Sequence, residues 1–146
     1  MANNYFRPLP GRFGIQVEQS VIGNPGPISP VAVASSTVTY KRGLPVGKYF
    51  VEKIGYFIGT LAAGSLAITA QVFRRNSVGA VNQALTAAFD LKAGSINTNL
   101  AVAISATEQN RYFAPGDYVA VDLVAAGTIT TQPADLFVTV ELAVRE

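Results

Sequence analysis

The residues that could do chemistry define this chain mostly by what they cannot build. It has no histidine and no cysteine, so neither a Ser-His-Asp nor a Cys-His arrangement can form. Without thiols there is no disulfide and no thiolate metal site, and the redox compartment cannot be read. A Ser–Lys dyad stays open in principle, but no serine is marked out by its surroundings. Two carboxylates converging in a cleft could hydrolyse a glycoside. The nearest candidates, Asp117 and Asp122, are an odd number of positions apart in one strand and therefore face opposite ways. No acidic cluster has calcium-loop spacing, and no glycine pattern suits a phosphate. The expectation is a protein that is not an enzyme, with no catalytic, cofactor-binding or metal-binding residue and no cofactor.

Two short motifs carry local meaning. Arg74-Arg75 could touch a phosphate, yet a lone basic pair at a strand end reads better as a solvated hairpin tip. Residues 113–121, FAPGDYVAV, read as a Pro-Gly turn that Asp117 can cap before the next strand begins. Charge is uneven along the chain. Residues 1–75 hold eight basic side chains against Glu18 and Glu52, whereas residues 76–146 hold three against seven acids. The net charge of +2 gives generic nucleic-acid binding little support. The asymmetry is compatible with a protein that meets its own copies, or a charged scaffold, face to face.

The elements that position these residues hinge on residues 49–75, YFVEKIGYFIGTLAAGSLAITAQVFRR. Positions 54–73 carry no charge, long enough for a transmembrane helix, and Gly55 and Gly59 form a GxxxG. Polar Thr60, Ser65, Thr69 and Gln71 interrupt that run. Leu66, Ile68, Ala70 and Val72 alternate with Ser65, Ala67, Thr69 and Gln71, which is the period of a half-buried strand. The expectation is a core hairpin, with strands over 49–58 and 66–73 joined by a turn at 62–65, where Gly64 supplies a positive φ if one is needed. The first strand has aromatics on both parities, so it is either central in a tight sandwich or covered by another subunit. If Phe50, Tyr56 and Phe57 cannot all enter one core, some of them sit at an interface.

Residues 1–30 differ from the remainder, holding Pro8, Pro10, Pro25, Pro27 and Pro30 among interspersed glycines. Proline lacks an N–H and fixes φ, so these stretches are not central strands. A short candidate strand with Ile15, Val17 and Val21 on one parity is the exception. The segment reads either as a frayed terminus or as an arm anchored on a neighbour by Tyr5, Phe6 and Phe13. It lacks the apolar core of a signal peptide, so nothing in it suggests export. Beyond it, strands alternate with turns. Residues 31–41 change parity near Ser35-Ser36, as a bulge would cause. A turn follows around Pro45. Residues 81–90 fit a short helix or a strand, with strand favoured. Leu136, Val138, Val140, Leu142 and Val144 form the cleanest inward face. The fold class expected is all-β: a single antiparallel β-sandwich, jelly-roll-like, of seven or eight strands over 31–146, with an extended N-terminal arm over 1–30.

The PGD-aromatic turn and strand, the loop TITTQPAD, the closing strand LFVTVELAV and the stretch ITAQVFRRNSVGAVNQALT together resemble small β-sandwich virion proteins of tailed bacteriophages, the capsid decoration (cement) proteins. Other jelly rolls, tumour-necrosis-factor-like domains included, share the Gly-Asp turn. The resemblance implies a homotrimer on the outer surface of a capsid, made in the host cytoplasm and bridging neighbouring capsomers. Its partners would be the major capsid protein and itself, with no nucleic acid and no membrane. It also implies an arm lying over the shell, which makes Tyr5, Phe6, Arg7, Arg12 and Phe13 the capsid-contact candidates. Phe50, Tyr56 and Phe57 are the subunit-interface candidates. Removing residues 2–27 is then expected to leave a folded domain that no longer binds capsids. The alternatives are a tail or connector component, or the receptor- or glycan-binding head of a fibre or tail tip, using Tyr112 and Phe113 beside Arg111.

Overall fold

The computed structural model describes residues 12–17, 33–44 and 46–145, with strands 12–17, the start of β2 and the last residues of β12 described by backbone alone. The described residues hold twelve strands: β1 (Arg12–Val17), β2 (Val33–Gly43), β3 (Lys48–Phe57), β4 (Ala63–Gly64), β5 (Ile68–Asn76), β6 (Asn82–Ala84), β7 (Phe89–Asp90), β8 (Leu100–Val102), β9 (Tyr112–Phe113), β10 (Asp117–Gly127), β11 (Ile129–Thr131) and β12 (Phe137–Arg145). One 3-10 turn spans Glu108–Arg111. Among the described residues no helix is long and apolar enough to cross a membrane.

Two antiparallel sheets face each other. The first runs β1-β12-β3, with β8 and β9 side by side on the far edge of β3; the second runs β2-β10-β5, with β6 and β7 sharing the far edge of β5. If each short pair counts as one interrupted strand, eight positions remain, ordered 1-8-3-6 and 2-7-4-5. That order is a jelly roll. The all-β sandwich expected from the alternation is the fold observed.

Alternation builds the layer between the sheets. Val119, Val121, Leu123 and Ala125 of β10 are fully buried, and so are Val138, Val140 and Leu142 of β12. Ile68, Ala70 and Val72 of β5 join them. β3 satisfies the same rule by breaking step once. Glu141 pairs with Lys53 and Leu142 with Val51, so Glu52 is an extra residue, a bulge. It moves the inward set from Tyr49 and Val51 to Ile54, Tyr56 and Ile58, all buried. This is why aromatics occupy both parities of that strand. The parity change expected in β2 is also a bulge: Ala125 pairs with Ser36 but Gly127 with Val33.

The expected hairpin is not formed. β3 belongs to the first sheet and β5 to the second, so residues 58–67 are a crossover between layers. Within it β4 pairs with β11 as a small third sheet. Gly64 is accordingly not the positive-φ residue of a turn; its role is close approach, since a Cβ there would lie 2.6 Å from the Thr128 carbonyl oxygen. Residues 81–90 form β6 and β7 rather than a helix or one continuous strand. Between them Thr86, 4% exposed, accepts a bond from the Val72 N–H on its hydroxyl, and its carbonyl accepts one from Gln71 Nε2.

Strand β1 lies in register along β12, from Arg12 opposite Ala143 to Val17 opposite Val138. Deleting residues 2–27 would therefore strip an edge strand from the first sheet, whereas deleting 2–11 leaves every described strand in place.

Gly64→Ala should lower stability by about 1–3 kcal/mol, because backbone rather than a mobile side chain must give way. Gly43, whose added Cβ would meet nothing within 4 Å, provides the control. Urea unfolding of both variants checks this, and equal midpoints would remove the close-approach explanation.

Candidate interaction surfaces

The outer face of the first sheet is set by the same bulge. With Tyr49, Val51, Ile54 and Tyr56 turned inward, Phe50 and Phe57 are left on the outside, half-buried. Each meets an aromatic across the ladder. Phe50 lies opposite Tyr112 with ring centroids 4.7 Å apart, and Phe57 lies opposite Phe137 with centroids 6.1 Å apart in an edge contact. Such cross-strand pairs stabilise the sheet locally. The Arg111 guanidinium sits 4.5 Å over the Phe50 ring, and the Tyr112 hydroxyl donates to Glu108 at 2.9 Å. Between the two aromatic pairs the face sinks into an open groove lined by Lys53, Gly55, Ala101, Ala103, Thr139 and Glu141. Gly55 leaves it shallow of side chain because a Cβ would come 2.9 Å from the Leu100 carbonyl oxygen.

Of the subunit-interface candidates, Phe50 and Phe57 share this face and Tyr56 does not. Tyr56 is 9% exposed and stacks on Phe89 at 4.7 Å; burial, and then the charge of Asp90, push its hydroxyl pKa up. Of the capsid-contact candidates, Tyr5, Phe6 and Arg7 lie outside the described residues. Arg12 and Phe13 occupy the first two positions of β1, opposite Ala143 and Leu142. The Arg111, Tyr112 and Phe113 trio is split, because Phe113 is 2% exposed in the core. Tyr112 and Phe137 were not singled out as partners of the two phenylalanines. Phe137 falls out of phase with Leu136 and Val138, and that was the available signal.

Arg74 and Arg75 form no solvated tip. Adjacent in β5, they point to opposite sides. Arg74 reaches between the sheets, where Nη1 donates to the Tyr112 carbonyl of the first sheet and Nε lies 3.7 Å from Asp117 Oδ2. Asp117, 7% exposed, also accepts from the Ala114 N–H at 2.9 Å, while its own N–H donates to the Ala114 carbonyl. With Gly116 at φ +91°, this is the capped turn the sequence suggests. Asp117 and Asp122 do face opposite ways. Arg75 lies outside the second sheet, 4.3 Å over the Phe73 ring, and grips Asp122 through two bonds of 2.9 and 2.8 Å. Thr39 donates to the same carboxylate at 2.7 Å. The bond from Arg75, with help from Thr39, holds the Asp122 carboxyl below its ordinary range. Among the described residues no group of three or more His, Cys, Asp or Glu is placed to hold a metal.

No family model matches the sequence. No curated protein matches it. A chain from "Structure of infectious bursal disease virus Gx strain" is similar over 89% of this chain and 30% of its own length, with 13% identity and a TM-score of 0.34. One from "Structure of infectious bursal disease virus Gt strain" is similar over 91% of this chain and 39% of its own, with 11% identity and a TM-score of 0.19. This chain thus spans well under half of either. Likeness at that level transfers neither a fold nor a role, and the jelly-roll assignment rests on strand order.

Two outcomes follow from the ion pairs. The folded pKa of Asp122 lies below its unfolded value, so its stabilisation is complete above the ordinary carboxylate pKa, about 4, and is lost as pH falls through the lower folded value. Urea midpoints between pH 7 and pH 3 should therefore fall less steeply in Asp122→Asn than in the parent; parallel curves would contradict the assignment. Arg74→Met leaves the Asp117 carboxylate buried without its cation and should cost about 3 kcal/mol. An unchanged unfolding midpoint would show that Asp117 needs only its turn.

Proposed function

We propose that the chain is a structural virion protein that decorates and stabilises a phage capsid, bridging neighbouring capsomers as a homotrimer, without catalysis or cofactor. One observation carries the reading. The two aromatic pairs Phe50–Tyr112 and Phe57–Phe137 stand outside a sandwich whose inner layer is already filled. Outer aromatic pairs flanking a groove that mixes small residues with Lys53 and Glu141 suit burial against a second copy, and these are the surroundings of two of the three interface candidates. The resemblance in residues 36–146 to phage decoration proteins and the jelly-roll order point the same way, since this architecture recurs in viral capsid and lectin domains. The segment ahead of β1, with Tyr5, Phe6 and Arg7, supplies the arm.

The glycan-binding alternative keeps Tyr112 and Arg111 but loses Phe113 to the core. A tail or connector ring would use the same strands and differ in copy number per particle.

Light scattering of the full chain should report a trimer, and Phe50→Glu with Phe57→Glu should reduce it to monomer while the far-ultraviolet spectrum keeps its β signature. The chain lacking residues 2–11 should stay folded and trimeric yet fail to sediment with capsids. A monomeric parent would overturn the subunit interface, and capsid binding by the truncated chain would overturn the arm.

A further inference from the structure

The two ends of the sandwich are chemically unlike. At one end lie the turns at residues 44–47, 77–81 and 114–116, as the register requires: Gly43 pairs with Tyr118, Asn76 with Asp117, and Tyr49 with Phe113. The start of β1 and the end of β12 arrive there too, because Arg12 is opposite Ala143 and Lys48 opposite Arg145. Eight basic residues occupy positions near this end: Arg12, Lys41, Arg42, Lys48, Arg74, Arg75, Arg111 and Arg145. Asp117 and Asp122 neutralise Arg74 and Arg75. Of the described acids, Glu52 in the β3 bulge and Glu108, bonded to Tyr112, stand beside the other six. The opposite end holds exposed Asp90 and Asp135, and its lysine, Lys92, is tied to the Gly64 and Leu66 carbonyls. The sequence asymmetry between the chain's halves has therefore become a charge gradient along the long axis.

Apolar tips crown the basic end. Val46 is 93% exposed and Val78 80%, the two most exposed large apolar side chains described. Val46 sits in KRGLPVGK, residues 41–48, flanked by Lys41, Arg42 and Lys48. Val78 stands on a well-bonded turn rather than a slack one. The Asn76 side-chain oxygen accepts from the Ala80 and Val81 N–H groups, the Asn76 carbonyl accepts from the Gly79 N–H, and Gly79 supplies φ +75°. Pro115 is exposed on the third turn, which Asp117 holds. Bonded turns at 76–81 and 114–117, with exposed Val46 as a further apolar tip among basic positions, suit a surface that both desolvates the tips and answers the charge.

We infer that this basic, valine-tipped end is the face that docks on an acidic surface of the shell protein, a deepening that rests on the capsid-decoration reading. An acidic protein fits the observations better than a nucleic acid or a membrane. Strands of nucleic acid are held by cations interleaved with exposed aromatics, whereas the aromatics at this end, Tyr118 and Phe50, are half-buried beneath Lys41 and Arg111. Membrane-surface anchors use Trp, Phe or Leu, whereas the tips here are short Val and Pro.

The test is cosedimentation of the full chain with purified capsid shells lacking it, at 50 and 300 mM NaCl. The parent should bind, and more weakly at the higher salt. Lys41→Glu with Lys48→Glu should weaken binding about tenfold or more, and Val46→Ser with Val78→Ser should weaken it at both salt concentrations. Ile96→Ser and Thr130→Glu, at the far end, should bind as the parent does. Unfolding midpoints and oligomeric state, measured on every variant, separate docking from folding. If the parent binds and both basic-end variants bind equally well, or if the far-end variants lose as much, this inference fails while the decoration reading stands. A parent that does not bind shells overturns both. Parent binding to duplex DNA or phosphatidylserine vesicles, but not to shells, overturns them in favour of those partners.

Discussion

Two sheets share one apolar layer, and every long strand must keep alternate residues in it. β10 and β12, at the centres of the two sheets, obey over their whole described length. β2 and β3 do not have sequences that alternate without interruption, and each inserts one extra residue to return to phase. A one-residue slip exchanges a strand's two faces, so these bulges decide which aromatics enter the core. The Glu52 bulge sends Tyr56 in and keeps Phe50 and Phe57 out. The candidate interface is thus a by-product of how the core is filled.

Closure of the layer uses polar groups at its margins. At one side, Thr86 and Ile104 form an isolated bridge and the Ser105 N–H donates to the Leu85 carbonyl, linking the edges of the two sheets. At the basic end Arg74 spans the gap between sheets to reach Tyr112, with Asp117 as its counter-charge. At the other end the β4–β11 sheet covers the core. Asp117 serves two roles at once, capping the turn before β10 and neutralising a guanidinium at the mouth of the layer. That economy is why a short Pro-Gly-Asp motif matters to the whole domain.

With the interior closed, the surfaces divide by chemistry. The outer first sheet offers aromatic pairs around a groove. The outer second sheet is covered by the Arg75–Asp122–Thr39 network over Phe73. The turn-bearing end combines basic residues with exposed apolar tips. The aromatic face and the basic end meet at Arg111, which stands over the Phe50 ring.

The all-β class, the single apolar layer, the bulge in β2 and the capped turn at Asp117 were legible in the residues themselves, because period-two alternation and turn chemistry act over a few positions. What residues 49–75 become was only half legible. Their alternation showed strands, and the strands are there; adjacency in sequence suggested a hairpin, yet β3 and β5 lie in opposite sheets. Which strand pairs with which depends on partners far away in the chain, β12 for β3 and β10 for β5, and no local spacing encodes those contacts. The same holds for Arg74 and Arg75, which look like a solvated tip until strands forty residues on bring Asp117 and Asp122 beside them. Tertiary structure alone decided which charges are neutralised, which aromatics remain outside, and that the basic residues gather at one end.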